Sequence, residues 1–223
     1  MKTKQAGFTL VEIAIVLVII GLLLGGILKG QEMITQAKIK NIINDFNGIT
    51  AAMNSYQDRY RALPGDDLGA TRWAGTVAGN GNGILNSAAA AAAQYKNPPG
   101  AAASAAEEVN LFWQHLRLAG FVAGSTTYPS GGQQPSNSVN GIMGVQTGAG
   151  AGTLGFASNI ICTTNLPDKI AVAIDTQMDD ATAASGQVRG VGPQAGPNPD
   201  LTAVMAVNYV ENGTNQYTLC KGL

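Results

Sequence analysis

From Phe8 to Leu28 the chain reads FTLVEIAIVLVIIGLLLGGIL, an apolar run in which Thr9 and Glu12 are the only polar side chains. As a helix its 21 residues would extend about 31 Å, which matches a membrane hydrocarbon core of about 30 Å. A secretory signal would be shorter and would end in a small-x-small cleavage site. Here the run passes straight into KGQEMITQAKIKNIINDF, so the apolar segment is expected to be retained. Lys2 and Lys4 in the preceding MKTKQAG put the N-terminus in the cytoplasm by the positive-inside rule, and everything after Leu28 outside.

Glu12 is the anomaly in this run. A carboxylate at the centre of a lipid-embedded helix costs roughly 2.5–3.5 kcal/mol on insertion scales and persists only with a partner. Either Glu12 sits close enough to the cytoplasmic interface to stay wet, or it meets a cation. The string Gly7-Phe8-Thr9-Leu10-Val11-Glu12 resembles the leader junction of the type IV pilin superfamily, which includes the type II secretion pseudopilins. That junction is a basic leader ending in Gly, then F-T-L-x-E and an apolar helix. The resemblance covers about the first sixty residues strongly and the rest only in outline. It implies that prepilin peptidase cuts between Gly7 and Phe8, and that Phe8 becomes an N-methylated terminus. Phe8, Thr9 and Glu12 would then be assembly residues, with Glu12 pairing with the terminal amine of a neighbouring subunit. A cation and a carboxylate that meet only on assembly convert an unpaired charge in lipid into a device that sets subunit register.

Beyond the membrane run the pattern becomes amphipathic. Ile39, Ile42, Ile43, Phe46, Ile49, Met53, Tyr56 and Tyr60 recur at three- and four-residue steps, with Lys38, Lys40, Asn44, Asp45, Asn47, Asn54 and Asp58 on the remainder. Leu63-Pro64-Gly65 is expected to stop the helix near Ala62. The resemblance implies a filament-core half, 8–28, an amphipathic half, 29–63, and a globular head, 64–223, after a leader at 1–7. Many type IV pilins carry a proline near where Lys29 stands, and this chain does not. Gly21, Gly25, Gly26 and Gly30 are the local weak points instead, at about 1 kcal/mol each relative to Ala.

In the head, residues 66–103 are rich in Gly, Ala, Asn and Pro and read as a long surface loop. Ser104-x-x-Glu107 has the form of a capping box, and Val109, Phe112, Trp113, Leu116 and Ala119 mark one face of a helix closed by Gly120, with His115 off that face and solvated. Residues 124–153 read as loop. Gly155 to Cys162 reads as a strand, and Asp168 to Met178 as a helix behind Pro167. Leu201–Val210 and Gln216–Cys220 flank Asn212-Gly213 and predict a hairpin. The expected fold is α+β and pilin-like, a long N-terminal helix packed on a small antiparallel sheet. Cys162 and Cys220 lie in the part placed outside the membrane, so a disulfide is favoured over two free thiols. It would pin the C-terminal hairpin to the preceding strand and resembles the disulfide-bounded C-terminal region of type IV pilins.

The 13 Lys+Arg against 14 Asp+Glu remove the main electrostatic argument for nucleic-acid binding. A local patch of Arg59, Arg61, Arg72 and Lys96 would be needed for it. Gly150 to Gly155 matches G-x-G-x-x-G, but without a preceding strand or a following helix it is discarded. Asp66-Asp67 and Asp179-Asp180, with Gly79-Asn80-Gly81-Asn82-Gly83, carry oxygens of the kind calcium takes, and major pseudopilins hold calcium in the head. The family's site motif is absent, so the pairs read as solvated loops and no cofactor is assigned. One histidine, without a recognisable nucleophile motif, marks no catalytic site. Asn212-Gly213-Thr214 fits a glycosylation sequon, a pattern that chance supplies often.

These readings converge on a non-enzymatic filament subunit, made as a single-pass inner-membrane precursor and ending in a periplasmic or cell-surface pilus. The resemblance implies other pilin subunits, prepilin peptidase, a membrane platform, an assembly ATPase and membrane lipid as partners. The rivals are a type II secretion pseudopilin, a minor pilin and a domain merely tethered by residues 8–28.

Overall fold

The computed structural model describes Gly7 and residues 9–148, 154–194, 196–201 and 208–223. The chain divides into two compact units, Met1–Lys38 and Ile39–Leu223. Helix α1, Leu10–Tyr60, contributes to both. In the first unit every helical side chain from Leu10 to Lys29 is exposed. An 18-residue window of this helix reaches a mean hydropathy of 2.8, so it is long and apolar enough to cross a membrane.

In the second unit α1 buries Ile39, Ile42, Phe46, Ile49, Ala52, Met53 and Tyr56, the stripe expected from the three- and four-residue spacing. Ile43 and Tyr60 flank it half-buried. The stripe packs with Met143, Val145, Ile161, Tyr217 and Leu219 from the sheet and Phe112, Trp113 and Leu116 from α2, Glu108–Leu118, in one apolar core. The helix ends two residues before Ala62. Arg61 takes a left-handed conformation, φ 56°, and its N–H still reaches the Gln57 carbonyl at 2.8 Å. Gly65, φ 88°, then lets the chain turn against α2, where a Cβ would lie 2.4 Å from the Glu108 carbonyl oxygen.

Among the described residues the sheet has four antiparallel strands in the order β1-β2-β4-β3: β1 Met143–Thr147, β2 Asn159–Pro167, β3 Val188–Val191 and β4 Gln216–Gly222. Helix α3, Asp168–Met178, follows β2 directly with Pro167 as its N-cap, as the sequence predicts. Strand β2 starts four residues later than expected and runs on to Pro167. Strand β1 replaces expected loop, and β3 arises where no element is expected. Both are short and lack the alternation that marks a half-exposed strand, because β1 is buried on both faces and most of β3 is too. The expected hairpin is not formed by the described residues. Gln216 to Cys220 is in β4, but 208–210 is outside any strand and 202–207 lies outside the described residues. Strand β4 pairs with β2 and β3 instead.

Both outer strands are covered. The Met143 and Thr147 amides donate to the Pro135 and Leu85 carbonyls, and the Val188 and Gly190 amides to the Asp179 carboxylate and the Ala183 carbonyl. Gly144 is needed at one edge, since a Cβ there would fall 1.9 Å from the Tyr95 carbonyl oxygen.

Two readings change. Residues 66–103 are more than surface: Asp66, Asp67, Ala70, Leu85, Gln94 and Tyr95 are buried, with short 3-10 turns at Ala70–Arg72 and Ala91–Lys96. Helix α2 has no single apolar face, because every residue from Glu108 to Arg117 is buried. Its expected capping box is absent. Glu107 is the N-cap without a side-chain bond, and its carboxylate instead accepts from Asn97 Nδ2.

Candidate functional site

The N-terminus of α1 is built around two residues. Leu10 is the first helical position, so Thr9 is the N-cap and Glu12 stands three positions in. The Glu12 amide donates to Thr9 Oγ1 at 3.3 Å, and Glu12 Oε2 accepts both the Thr9 amide and the Thr9 hydroxyl at 2.8 Å. This is a capping box, in which two otherwise orphaned helix donors are satisfied reciprocally. The carboxylate also lies at the positive end of the helix dipole. Within the chain Glu12 is therefore partly compensated before any neighbour arrives. Its sequence signal is Thr-x-x-Glu directly ahead of an apolar run. Gly7 is exposed and a Cβ there would meet nothing. Phe8 and the leader 1–6 lie outside the described residues.

In the head, Cys162 and Cys220 are bonded and sit opposite each other in the β2–β4 register. The bridge pins the C-terminal strand to β2, as expected, without the hairpin expected beside it.

His115 is a correction: it is fully buried rather than solvated. Its Nδ1 accepts the Gly65 amide at 3.0 Å, which leaves the proton on Nε2, facing the Val77 carbonyl at 3.3 Å. Burial pushes the imidazole down to about 4, against the pull of that carbonyl and of Asp67. Position off the apolar stripe gave the wrong answer because α2 is enclosed on all sides.

The first acidic pair is also buried rather than solvated. Arg72 forms a two-pronged ion pair with Asp67, at 2.6 and 3.3 Å, and the Tyr56 hydroxyl donates to the same carboxylate at 2.6 Å. Burial raises the Asp67 carboxyl, but the bonds from Arg72, Tyr56 and the Gly69 amide more than offset this and hold it below the usual range. Asp66 accepts three backbone amides. The second pair, Asp179 and Asp180, joins Asp175, so that one oxygen from each lies within 4.8 Å of the others. Asp179 accepts the Val188 amide, Asp180 the Thr182 amide and Ser185 hydroxyl, and Asp175 the Tyr209 hydroxyl. The two pairs are not brought together in one cluster.

Of the four basic residues weighed for nucleic acid, Arg72 is committed to Asp67 and stacked on Tyr60 and Trp73, and Lys96 pairs with Asp200. Most of the discarded glycine-rich motif lies outside the described residues.

A family model described as the prokaryotic N-terminal methylation motif matches residues 2–28. No curated protein and no solved structure matches the chain. The match contains Gly7, Phe8, Thr9 and Glu12, and with the long apolar helix it supports a type IV pilin-like or pseudopilin-like prepilin, a structural rather than an enzymatic class. The helix fits a membrane-anchored precursor.

Proposed function

We propose that this type IV pilin-like precursor is a structural subunit of a pilus-like filament, cut between Gly7 and Phe8, methylated on Phe8 and assembled through its N-terminal helix. The observation that carries the reading is the join of a methylation-motif N-terminus to a helix whose apolar side chains are all uncovered from Leu10 to Leu28. Lipid covers that surface in the precursor, and the stems of other subunits cover it in the filament. Burial at about 25 cal/mol per Å² removed from water would supply most of the cohesion outside lipid. Glu12 then has two partners in succession, Thr9 of its own chain and the terminal amine of a neighbour. Prepilin peptidase, a membrane platform and a cytoplasmic assembly ATPase are the partners this implies.

Intact-mass and N-terminal analysis of sheared surface material and of membranes tests the proposal. A chain beginning at N-methylated Phe8 in the sheared fraction is the expected result. An uncut chain confined to membranes would leave only a tethered domain.

A further inference from the structure

Asparagine followed by glycine occurs five times, at Asn47-Gly48, Asn80-Gly81, Asn82-Gly83, Asn140-Gly141 and Asn212-Gly213. Such a step is chemically weak, because glycine has no side chain to keep its nitrogen away from the asparagine carboxamide. Once the glycine amide loses its proton, the nitrogen attacks the asparagine Cγ, ammonia leaves, and water opens the cyclic imide to aspartate or isoaspartate. At three of the five steps the turn demands the glycine, since Gly81, Gly83 and Gly213 have φ of 76°, 81° and 81°. The asparagines before them close the same turns. Asn80 Oδ1 accepts the Asn82 amide, Asn82 Oδ1 the Ile84 amide, and Asn212 Oδ1 the amides of Thr214 and Asn215.

At these three steps the nitrogen that would attack is held by a carboxylate. Asp66 Oδ1 accepts the amides of Gly81 and Asn82 at 2.5 and 3.2 Å, and its Oδ2 accepts that of Gly83 at 2.5 Å. Asp168 Oδ2 accepts the amides of Gly213 and Asn212 at 2.6 and 2.8 Å. Glu108 accepts the Asn80 and Asn86 amides and completes the ring of amides from 79–86. Asp66 and Asp168 are buried, although the Asn-Gly turns they hold are exposed. Among the described residues no ion pair engages either acid, so backbone amides meet their charge. An amide anion forming beside such a carboxylate is opposed by like-charge repulsion, which is large where water is excluded. The other two steps have no carboxylate of this kind: Gly48 lies inside α1, and the Gly141 amide goes to the neutral Asn137 Oδ1.

We propose that Asn80, Asn82 and Asn212 are deamidation sites that Asp66 and Asp168 hold unreacted, each acid by binding the amide nitrogen on which the reaction depends. Asp66 guards two steps at once. Isoaspartate at either step adds a carbon to the backbone of the turn that cradles Asp66, so reaction at one loosens the guard on the other. Each conversion also places a new negative charge beside a buried acid, which keeps the turn from closing again. A turn that opens is therefore marked permanently, and conversion at 80, 82 and 212 records how often these turns leave their carboxylates. The guards lie wholly within the Ile39–Leu223 unit and do not depend on the filament reading.

The full chain is incubated at mildly alkaline pH, folded in detergent micelles and unfolded in urea, and conversion of each asparagine is read by peptide mass spectrometry. The folded wild type is expected to stay unconverted at 80, 82 and 212 over the time in which the unfolded chain converts at all three. Asp66→Asn should speed conversion at 80 and 82 by more than about tenfold, the equivalent of one pKa unit on the attacking amide, and leave 212 unchanged. Asp168→Asn should do the reverse, so each variant controls for a loss of overall stability in the other. Folded wild type converting at the unfolded rate, failure of either variant to speed its own sites, or acceleration of all three sites by both variants would overturn the proposal. Should a variant fail to fold, NMR of base-catalysed amide exchange in the wild type reads the same proton loss. Exchange at Gly81, Gly83 and Gly213 slower than at exposed Gly75 by more than about tenfold supports the guards, and a smaller difference overturns them.

Discussion

His115 and Glu108 sit on the same buried helix and pull the pH dependence of stability in opposite directions. For His115 the folded value is about 4 against an ordinary 6.5, so the unfolded chain takes a proton first as pH falls. Its contribution is complete above pH 6.5 and is lost towards pH 4, with a slope of about 1.4 kcal/mol per pH unit and a total of about 3 kcal/mol. Glu108 is raised to about 7 from 4.5, so the folded chain holds its proton longer. Its contribution is complete below pH 4.5 and is lost as pH rises to 7, with a similar slope and opposite sign. Between pH 4.5 and 6.5 the two slopes nearly cancel, and the wild type is expected to be almost flat. Asp175, raised by burial, tilts the balance slightly towards lower stability at higher pH. His115→Asn, whose Oδ1 can still accept the Gly65 amide, removes one slope. Its stability should fall by about 3 kcal/mol from pH 4.5 to 6.5. Glu108→Gln should rise by about as much over the same range, and the double variant should be flat again. Urea unfolding of the full chain in detergent, followed by tryptophan fluorescence at a series of pH values, measures all four curves. Two single variants as flat as the wild type, or slopes of the reverse sign, would refute the electrostatic assignment of both groups.

Replacing Cys162 and Cys220 together by Ala opens a loop of 58 residues and should cost about 4 kcal/mol on the chain-entropy model. The melting temperature with and without reductant reads this directly, and an unchanged value would show that the sheet register is held without the bridge. Thr9→Ala removes the hydroxyl that donates to the Glu12 carboxylate and accepts the Glu12 amide, leaving only the residue-9 amide on Glu12, a loss of about 1 kcal/mol in helix capping. The proposed function predicts less subunit in the sheared fraction and more in membranes for this variant, whereas Thr9→Ser should behave as wild type.

The difference between what was legible in the chain and what was not is clearest in two identical patterns. Thr9-x-x-Glu12 and Ser104-x-x-Glu107 both have the capping-box form, and only the first makes the bonds. Among the described residues only Thr9 bonds to the first glutamate. At the second, Asn97 from a distant turn captures the glutamate. The membrane run, the buried stripe of α1 and helix α3 follow from spacing along the chain, because a helix brings residues three and four apart onto one face whatever surrounds it. The disulfide follows from compartment and count. By contrast, the burial of His115, Asp66 and Glu108, the strands β1 and β3, and the ring of amides from 79–86 depend on contacts between segments tens of residues apart. Polar side chains enter a core when distant backbone groups satisfy them, and that satisfaction exists only once α1, α2 and the intervening chain have been folded against one another.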